Sequence, residues 1–447
     1  MMEGSMKEAA HSIHRSLQAI GAHKDLFPLN SSDFIGTALV FFGLIIAASG
    51  GIGGGGILVP ILILVFAFHP KHAIALSNFT ILGSAITNTT LNFPKRHPNA
   101  DRPLVDWDLI LVMEPLTAAG AIVGAYMSKV LPDWFLALML VVLLGVTAYR
   151  TLTKGISQYQ KETEQHAKRE KDSAMQAALD DQDKEIEMEE ASPLIDPEES
   201  SERTDTPEAE ELRALLDKER ETPVDKFMFL VVMFVVVIAL NLLKGGGASY
   251  ASPLGIVCGS SGYWIISFVN IAWLFGLSLY ARQHLIAAWR DKRRLGYKYL
   301  EGDVEWNERN TIVYPLLCVF AGMCAGLFGV GGGIVKGPLM LEMGVHPMVA
   351  AATSAVMILF TTMSATTTFI AFGTLTFDYA LYLFCFGLVA TTIGQLVVGH
   401  LVKKYERVSL ISLSIGAVVG LSTLLMGFQA IYSLVTEESQ ESGTICN

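Results

Sequence analysis

Two charged side chains stand inside sequence that is otherwise strongly apolar. Lys336 follows a run of glycines by three residues, where the matching stretch upstream has Leu58. Glu114 sits in the middle of an apolar segment, just before Pro115 and six residues after Asp108. Ionisable groups within a bilayer are costly and mark ion or substrate pathways. Lys336 has two readings: it pairs with a transported anion, or it snorkels to the interface. Glu114 also has two: it carries a coupling proton, or it is a structural partner of Lys129 or of a hydroxyl.

The glycines form a motif that occurs twice. Near the start the chain reads Gly51-Ile52-Gly53-Gly54-Gly55-Gly56, with Pro60 beyond; downstream it reads Gly329-Val330-Gly331-Gly332-Gly333, with Pro338 beyond. Each copy is followed by His-Pro, at His69-Pro70 and His346-Pro347, and then by an apolar helix dotted with Ser, Thr and Asn. After a one-residue slip the register resumes, pairing Ser77 with Ser354 and Ile81-Leu82 with Ile358-Leu359. The first copy formally matches GxGxxG. It lacks the preceding strand and the later acidic residue that a dinucleotide site requires, so nucleotide binding is not expected.

Glycine permits unusual backbone angles and close backbone approach. A glycine break leaves N–H groups free at the start of a half-helix, and these groups with the helix dipole attract an anion. Gly53, Gly54, Gly55, Gly331, Gly332 and Gly333 are the residues so placed. The alternative is that they only allow tight helix packing. Ser77, Asn78, Thr353 and Ser354 lie just inside the following helices, where they either replace an oxyanion's water shell or hydrogen-bond neighbouring helices. For His69 and His346 a role in the turn is favoured over a proton role.

These side chains need a membrane scaffold to hold them. The 447-residue chain is 51% hydrophobic and only 17% charged, below the roughly 25% charged residues of soluble domains. Runs near the ~20 residues that span a bilayer recur at 34–50, 71–92, 108–129, 132–152, 226–243, 262–281, 311–328, 347–371, 377–401 and 408–435. The stretches 56–68 and 334–343 are too short and read as half-length helices, because bilayer cannot satisfy glycine-exposed backbone unless protein or a cavity covers it. The net charge of −11 is local: residues 155–224 hold 22 acidic and 9 basic side chains. That linker, poor in aromatics and dense in charge, is expected to be mostly disordered with a helical start. It carries two acidic-dileucine patterns, Glu190 with Leu194-Ile195 and Glu211 with Leu215-Leu216, a pattern that sorting adaptors read and that also arises by chance.

Cys258, Cys318, Cys324, Cys385 and Cys446 show neither a CxxC pair nor a disulfide-scaffold pattern and read as small core residues. No metal-ligand spacing or cofactor motif appears, and residues 1–30 have no signal-peptide core. Placing the basic cluster Arg290, Lys292, Arg293, Arg294 and Lys298 in the cytosol, and letting each glycine-broken stretch cross twice, puts Lys95-Arg96, the acidic linker and Lys403-Lys404 there too. Each repeat then has an odd number of crossings, so the copies are inverted. If the broken stretches cross once, the copies are parallel and Lys403-Lys404 lies outside.

The doubled Gly-rich segment ending in Pro, and the stretch from Ala325 to Ile370, resemble the sulfite exporter TauE/SafE family of membrane permeases. Cys258-Gly259-Ser260-Ser261-Gly262-Tyr263-Trp264 and the long charged linker look like its eukaryotic branch. The resemblance covers about 34–152 and 226–435 and departs at Lys336, where an apolar residue is expected. It implies secondary transport of sulfite, sulfonates or related organosulfur anions, and supplies no set of binding residues.

The expectation is therefore an all-α polytopic membrane protein without enzymatic activity. An N-terminal tail (1–33) precedes the first repeat (34–152). The acidic cytosolic linker (153–225) leads to two additional helices with a basic loop (226–310), the second repeat (311–435) and a C-terminal tail (436–447). A small sulfur anion binds near the bilayer midplane and moves by alternating access, coupled to a proton or sodium gradient. The open alternatives are transport of a carboxylate or a cation, and a membrane adaptor or trafficking scaffold acting through the linker. No nucleic-acid partner is expected; oligomeric state and the choice between plasma membrane and endomembrane stay open.

Overall fold

A computed structural model of the chain describes residues 26–49, 53–98, 100–186, 207–245, 252–300, 302–405 and 409–436. Gly51 and Ile52 of the first glycine run, the Glu190 dileucine pattern and Cys446 lie outside the described residues. The described residues fold into thirteen helices. The first repeat is α1 (Ser31–Ser49), α2 (Gly55–Leu64), α3 (Pro70–Asn92), α4 (Trp107–Val130) and α5 (Asp133–Ile186). Then come α6 (Pro207–Arg220), α7 (Val224–Lys244) and α8 (Ser261–Arg294). The second repeat is α9 (Asn310–Phe328), α10 (Gly333–Glu342), α11 (Pro347–Phe372), α12 (Phe377–Tyr405) and α13 (Ser409–Thr436).

Among the described residues eight helices are long and apolar enough to cross a membrane: α1, α4, α5, α7, α8, α9, α11 and α12. Two of the ten expected runs fall short: 71–92, in α3, is diluted by its Ser, Thr and Asn, and 408–435 keeps only the shorter apolar stretch Ile415–Phe428. The half-helices α2 and α10, at 10 residues each, reach about 15 Å at 1.5 Å per residue, half of a ~30 Å hydrocarbon core. In the first repeat the break reverses the chain. Gly43 of α1 lies against Ile57, and Gly36 against Phe66, so α2 runs back along α1.

Matching helices of the two repeats run antiparallel. At one end of α3 the His72 Nδ1 lies 2.7 Å from the Thr374 carbonyl oxygen, just past α11. Beyond its other end the His97 ring lies 6.0 Å from that of His346, which precedes α11. Likewise Leu152 of α5 meets Gly416 of α13, while Val141 meets Gly427. Equivalent helices in opposite directions make the repeats inverted, as the odd number of crossings predicts.

The repeats interlock through α4 and α9, which run side by side in the same direction. Gly120 and Gly124 face the Val319 and Met323 carbonyl oxygens; Gly322 and Gly326 face those of Thr117 and Ala121. A Cβ at any of the four would come within 2.0–2.3 Å of the opposing oxygen. Each helix thus offers a small-xxx-small pair that lets the backbones touch.

The linker begins as a helix, as expected, and its residues 187–206 lie outside the described residues. Helix α5 leaves the apolar region and continues to Ile186, because extending an existing helix avoids the cost of nucleating one. Helix α6 has Pro207 at its first position, Glu208 and Glu210 in its first turn and Lys218 and Arg220 in its last, in accord with the helix dipole. It docks on the basic end of the bundle. Glu219 pairs with Lys292 at 2.6 Å and accepts from the Tyr297 hydroxyl at 2.8 Å, Glu211 pairs with Arg294, and Arg220 pairs with Asp101.

The cysteines divide. Cys318 and Cys324 are buried free thiols, as core residues should be, and Cys385 is free and exposed. Cys258 is disulfide-bonded, against the expectation that all five are plain apolar residues.

Candidate functional site

The two glycine breaks meet. A Cβ on Gly55 would lie 2.3 Å from the Val330 Cα, and one on Gly329 would lie 2.9 Å from the Ile74 Cα. Gly53 and Gly331 both pack on Ile81 and Ile358, the matching midpoints of α3 and α11. The N-cap residues Gly54 and Gly332 take left-handed backbone angles, with φ of 74° and 73°. Only glycine adopts these without strain, which is why the motif ends in glycine twice. Neither half-helix has a side-chain cap. Gly53, Gly54, Gly55, Gly331, Gly332 and Gly333 are all buried at this junction.

Lys336 sits in the first turn of α10, its Cε 3.4 Å from the Cβ position of Gly332. It is fully buried, so it does not snorkel. Its Nζ donates to Glu114 Oε2 at 3.0 Å and to Thr361 Oγ1 at 2.6 Å. Thr361 Oγ1 lies 2.7 Å from Glu114 Oε1 and 2.9 Å from the Met357 carbonyl oxygen. Glu114 and Lys336 are both 0% exposed. The cluster joins α4 of the first repeat to α10 and α11 of the second. Glu114 therefore has a lysine and a hydroxyl as partners, with Lys336 in place of Lys129. Thr361 is the residue that sequence reasoning undervalued: it stood among many hydroxyls, and only the fold shows that it holds both charges.

The polar residues after each His-Pro are not equivalent. Ser77 Oγ donates to the Gly329 carbonyl at 2.7 Å, tying α3 to the opposite break. Asn78 Nδ2 reaches the carbonyls of Ile74 and, at 3.5 Å, Ala325, while its Oδ1 is buried without a partner among the described residues. Ser354 Oγ is likewise buried and unpartnered. Thr353 faces the basic end, where its Oγ1 accepts from the Asp106 backbone N–H at 3.0 Å. The glycines and Ser77 are thus brought together at the junction with Asn78 beside it, and Lys336 and Glu114 form an adjacent cluster. Thr353 belongs to a different layer. His346 accepts from the Met348 N–H as a helix cap, in keeping with a turn role.

A cavity of about 280 Å³ opens at the basic end, lined by Asp106, Asp108, Lys226, Lys292, Trp107 and Trp306 among others. Asp106 caps α4 by accepting from the N–H groups of Asp108 and Leu109. The Asp106–Thr353 contact lies eight residues before Glu114 and Thr361 on the same two helices, about 12 Å along the axis. Burial, then the Asp108 carboxylate, push the Asp106 carboxyl up to about 6. A carboxyl raised in the folded state stabilises the fold fully below its unfolded value and loses that contribution as pH rises through about 6. Asp106→Asn keeps the capping acceptor and removes the charge. Its melting temperature relative to wild type is expected to improve between pH 4 and pH 7.5. A difference that is flat with pH would count against the ionisation.

Comparison with known proteins adds the following. A family model described as "Sulfite exporter TauE/SafE" matches residues 36–179 and 220–423. The chain is 29% identical over 419 residues to "Sulfite exporter TauE/SafE family protein 3" of Arabidopsis thaliana, covering 92% of this chain and 81% of that protein. It is 28% identical over 404 residues to "Sulfite exporter TauE/SafE family protein 1" of the same plant, covering 88% and 82%. A shorter stretch of 122 residues, 27% of this chain and 42% of the relative, is 27% identical to "Probable membrane transporter protein YunE" of Bacillus subtilis (strain 168). No solved structure gives a significant match.

Proposed function

This chain belongs to the sulfite exporter TauE/SafE family of membrane transporters, and from that premise we propose that it carries a small sulfur-containing anion, sulfite or a sulfonate, across a membrane at the junction of its two glycine breaks. The observation that carries this reading is the charge gathered there. Two uncapped half-helix N-termini, each equivalent to roughly +0.5 elementary charge, converge with the Lys336 ammonium. Among the described residues Glu114 is the one carboxylate hydrogen-bonded to that ammonium. The sum is positive, which suits an anion and works against the cation-transport alternative.

The anion-binding groups in this reading are the N–H groups of Gly53, Gly54, Gly55, Gly331, Gly332 and Gly333. The Ser77 and Ser354 hydroxyls, the Asn78 amide and the Lys336 ammonium assist. Thr353 serves the path toward the basic-end cavity. Because Lys336 already bonds to Glu114, an arriving anion competes with that carboxylate. A proton on Glu114 removes the competitor and leaves the ammonium for the anion. Proton and anion binding then favour each other by linkage, and the coupling ion in this reading is the proton. Rocking of one inverted repeat against the other exposes the junction to each side in turn.

The test is flux of sulfite and of taurine in proteoliposomes of the full-length protein with and without an imposed pH gradient. Saturable flux of at least one of them that the gradient accelerates is the expected result. Absence of flux for every sulfur anion tried would overturn the substrate assignment.

A further inference from the structure

Among the described residues a second buried charge lies away from the glycine junction. Lys244, the last residue of α7, is 1% exposed. Its Nζ donates to the Tyr126 hydroxyl at 2.6 Å and lies 4.8 Å and 5.3 Å from the centroids of the Tyr126 and Tyr263 rings. Among the described residues no carboxylate pairs with it. The contrast with Lys336, equally buried but bound to a carboxylate and a hydroxyl, is direct.

An ammonium has three donors. One is used by Tyr126, and the ring faces attract the charge without accepting it as an oxygen would. A buried cation without a counter-charge is strongly disfavoured, so the two remaining donors ask for an anionic acceptor. The surroundings supply one further donor. The Tyr263 hydroxyl is buried near that of Tyr126 without meeting hydrogen-bond geometry. The Ser267 hydroxyl donates to the Tyr263 carbonyl at 2.9 Å and accepts from the Tyr126 hydroxyl at 3.0 Å, so these two hydroxyls hold the ammonium in place. Two free ammonium donors and the Tyr263 hydroxyl, without an acid among the described residues, match a tetrahedral or pyramidal oxyanion. A second cation would find no counter-charge here.

We infer that Lys244 and Tyr263, positioned by Tyr126 and Ser267, form a second anion site, an entry or exit station for an oxyanion such as sulfite or the sulfonate head of a small organic acid. The inference rests on the anion-transport reading for its role and on the geometry for its existence. Tyr126 lies 12 residues beyond Glu114 on α4, about 18 Å along the axis and toward the end opposite the basic loops. The station therefore belongs to the non-cytosolic half of the pathway, where the additional helices α7 and α8 meet α4.

Trp264 provides a reporter, since its ring stacks on Tyr126 at 6.2 Å and lies 5.7 Å from Tyr263. The experiment titrates sodium sulfite into purified full-length protein and follows tryptophan fluorescence, with Trp264→Phe to assign the signal. Wild type, Lys244→Met, Lys244→Arg, Tyr263→Phe and Lys336→Leu are compared, each checked for monodispersity, and sulfite flux is measured on the same preparations. The expected result is a saturable change that Lys244→Met weakens at least tenfold. Lys244→Arg is expected to keep it within about threefold, Tyr263→Phe to weaken it several-fold, and Lys336→Leu to leave it intact. If Lys244→Met does not fold, the Tyr263→Phe and Lys244→Arg titrations decide alone. Titrations of Lys244→Met and Tyr263→Phe that match wild type would overturn the station, as would a wild type that shows no saturable change. Flux absent from wild type while the titration behaves as expected would overturn the transport reading and leave the site standing.

Discussion

Glu114→Ala is expected to be far more damaging than removal of the whole Lys336–Glu114 pair. The single change leaves a fully buried ammonium with only the Thr361 hydroxyl beside it. Breaking a buried pair from one side costs about 3–5 kcal/mol, whereas replacing both partners with apolar residues of similar volume is often neutral or stabilising. A double-mutant cycle of Glu114→Leu, Lys336→Leu and the combined variant, read by thermal unfolding in detergent, measures the coupling. The expected order of stability places the double variant close to wild type and both singles below it. Transport should fail in all three, because the double variant keeps the packing and loses the exchangeable charge. Additive singles would mean that the pair is not energetically linked. A double variant with wild-type flux would remove the cluster from the mechanism.

Gly55→Val is expected to abolish folding altogether. The added Cβ would stand 2.3 Å from the Val330 Cα and 2.7 Å from the Gly329 carbonyl oxygen. Both obstacles are backbone of the opposite repeat, so no side chain can swing away. Overpacking a well-packed core already costs about 1–3 kcal/mol where side chains can shift, and here the two breaks themselves must separate. Gly337→Ala is the control. It lies in the same kind of half-helix with nothing within 4 Å of its Cβ position, and a helix-interior glycine gives up roughly 0.5–1 kcal/mol relative to alanine. That variant should be as stable as wild type or slightly more so. Fluorescence-detected size exclusion of both variants decides: a monodisperse Gly55→Val peak at wild-type yield would contradict the junction.

Much of this was legible in the chain. Eight of the ten apolar runs coincide with helices long and apolar enough to cross a membrane, since bilayer thickness sets their length. The distribution of Lys and Arg correctly grouped the loops on one end. Arg220, Arg290, Lys292 and Arg294 make their ion pairs there with Asp101, Glu308, Glu219 and Glu211. The paired Gly-Pro and His-Pro segments marked both half-helices, because a left-handed N-cap such as Gly54 or Gly332 tolerates almost nothing else. The linker's helical start follows from the span before it, whose helix runs on to Ile186. Cys258 was misread because a disulfide joins positions whose separation in sequence carries no signal.

What the sequence determined by itself is therefore local and periodic: which stretches enter the membrane, where they break, which end faces the basic side, and that the two halves are copies. What only the tertiary structure decided is who meets whom. Lys336 and Glu114 are 222 residues apart, and no spacing rule links them. Lys244 looks like an ordinary interfacial lysine at a helix end until Tyr126 and Tyr263, from two other helices, are seen to close around it. The physical reason is the same in both cases. A charge in an apolar segment must find compensation somewhere, but its identity depends on helix packing. That packing is set by small residues such as Gly124 and Gly326 acting across repeats, a contact written in neither segment alone.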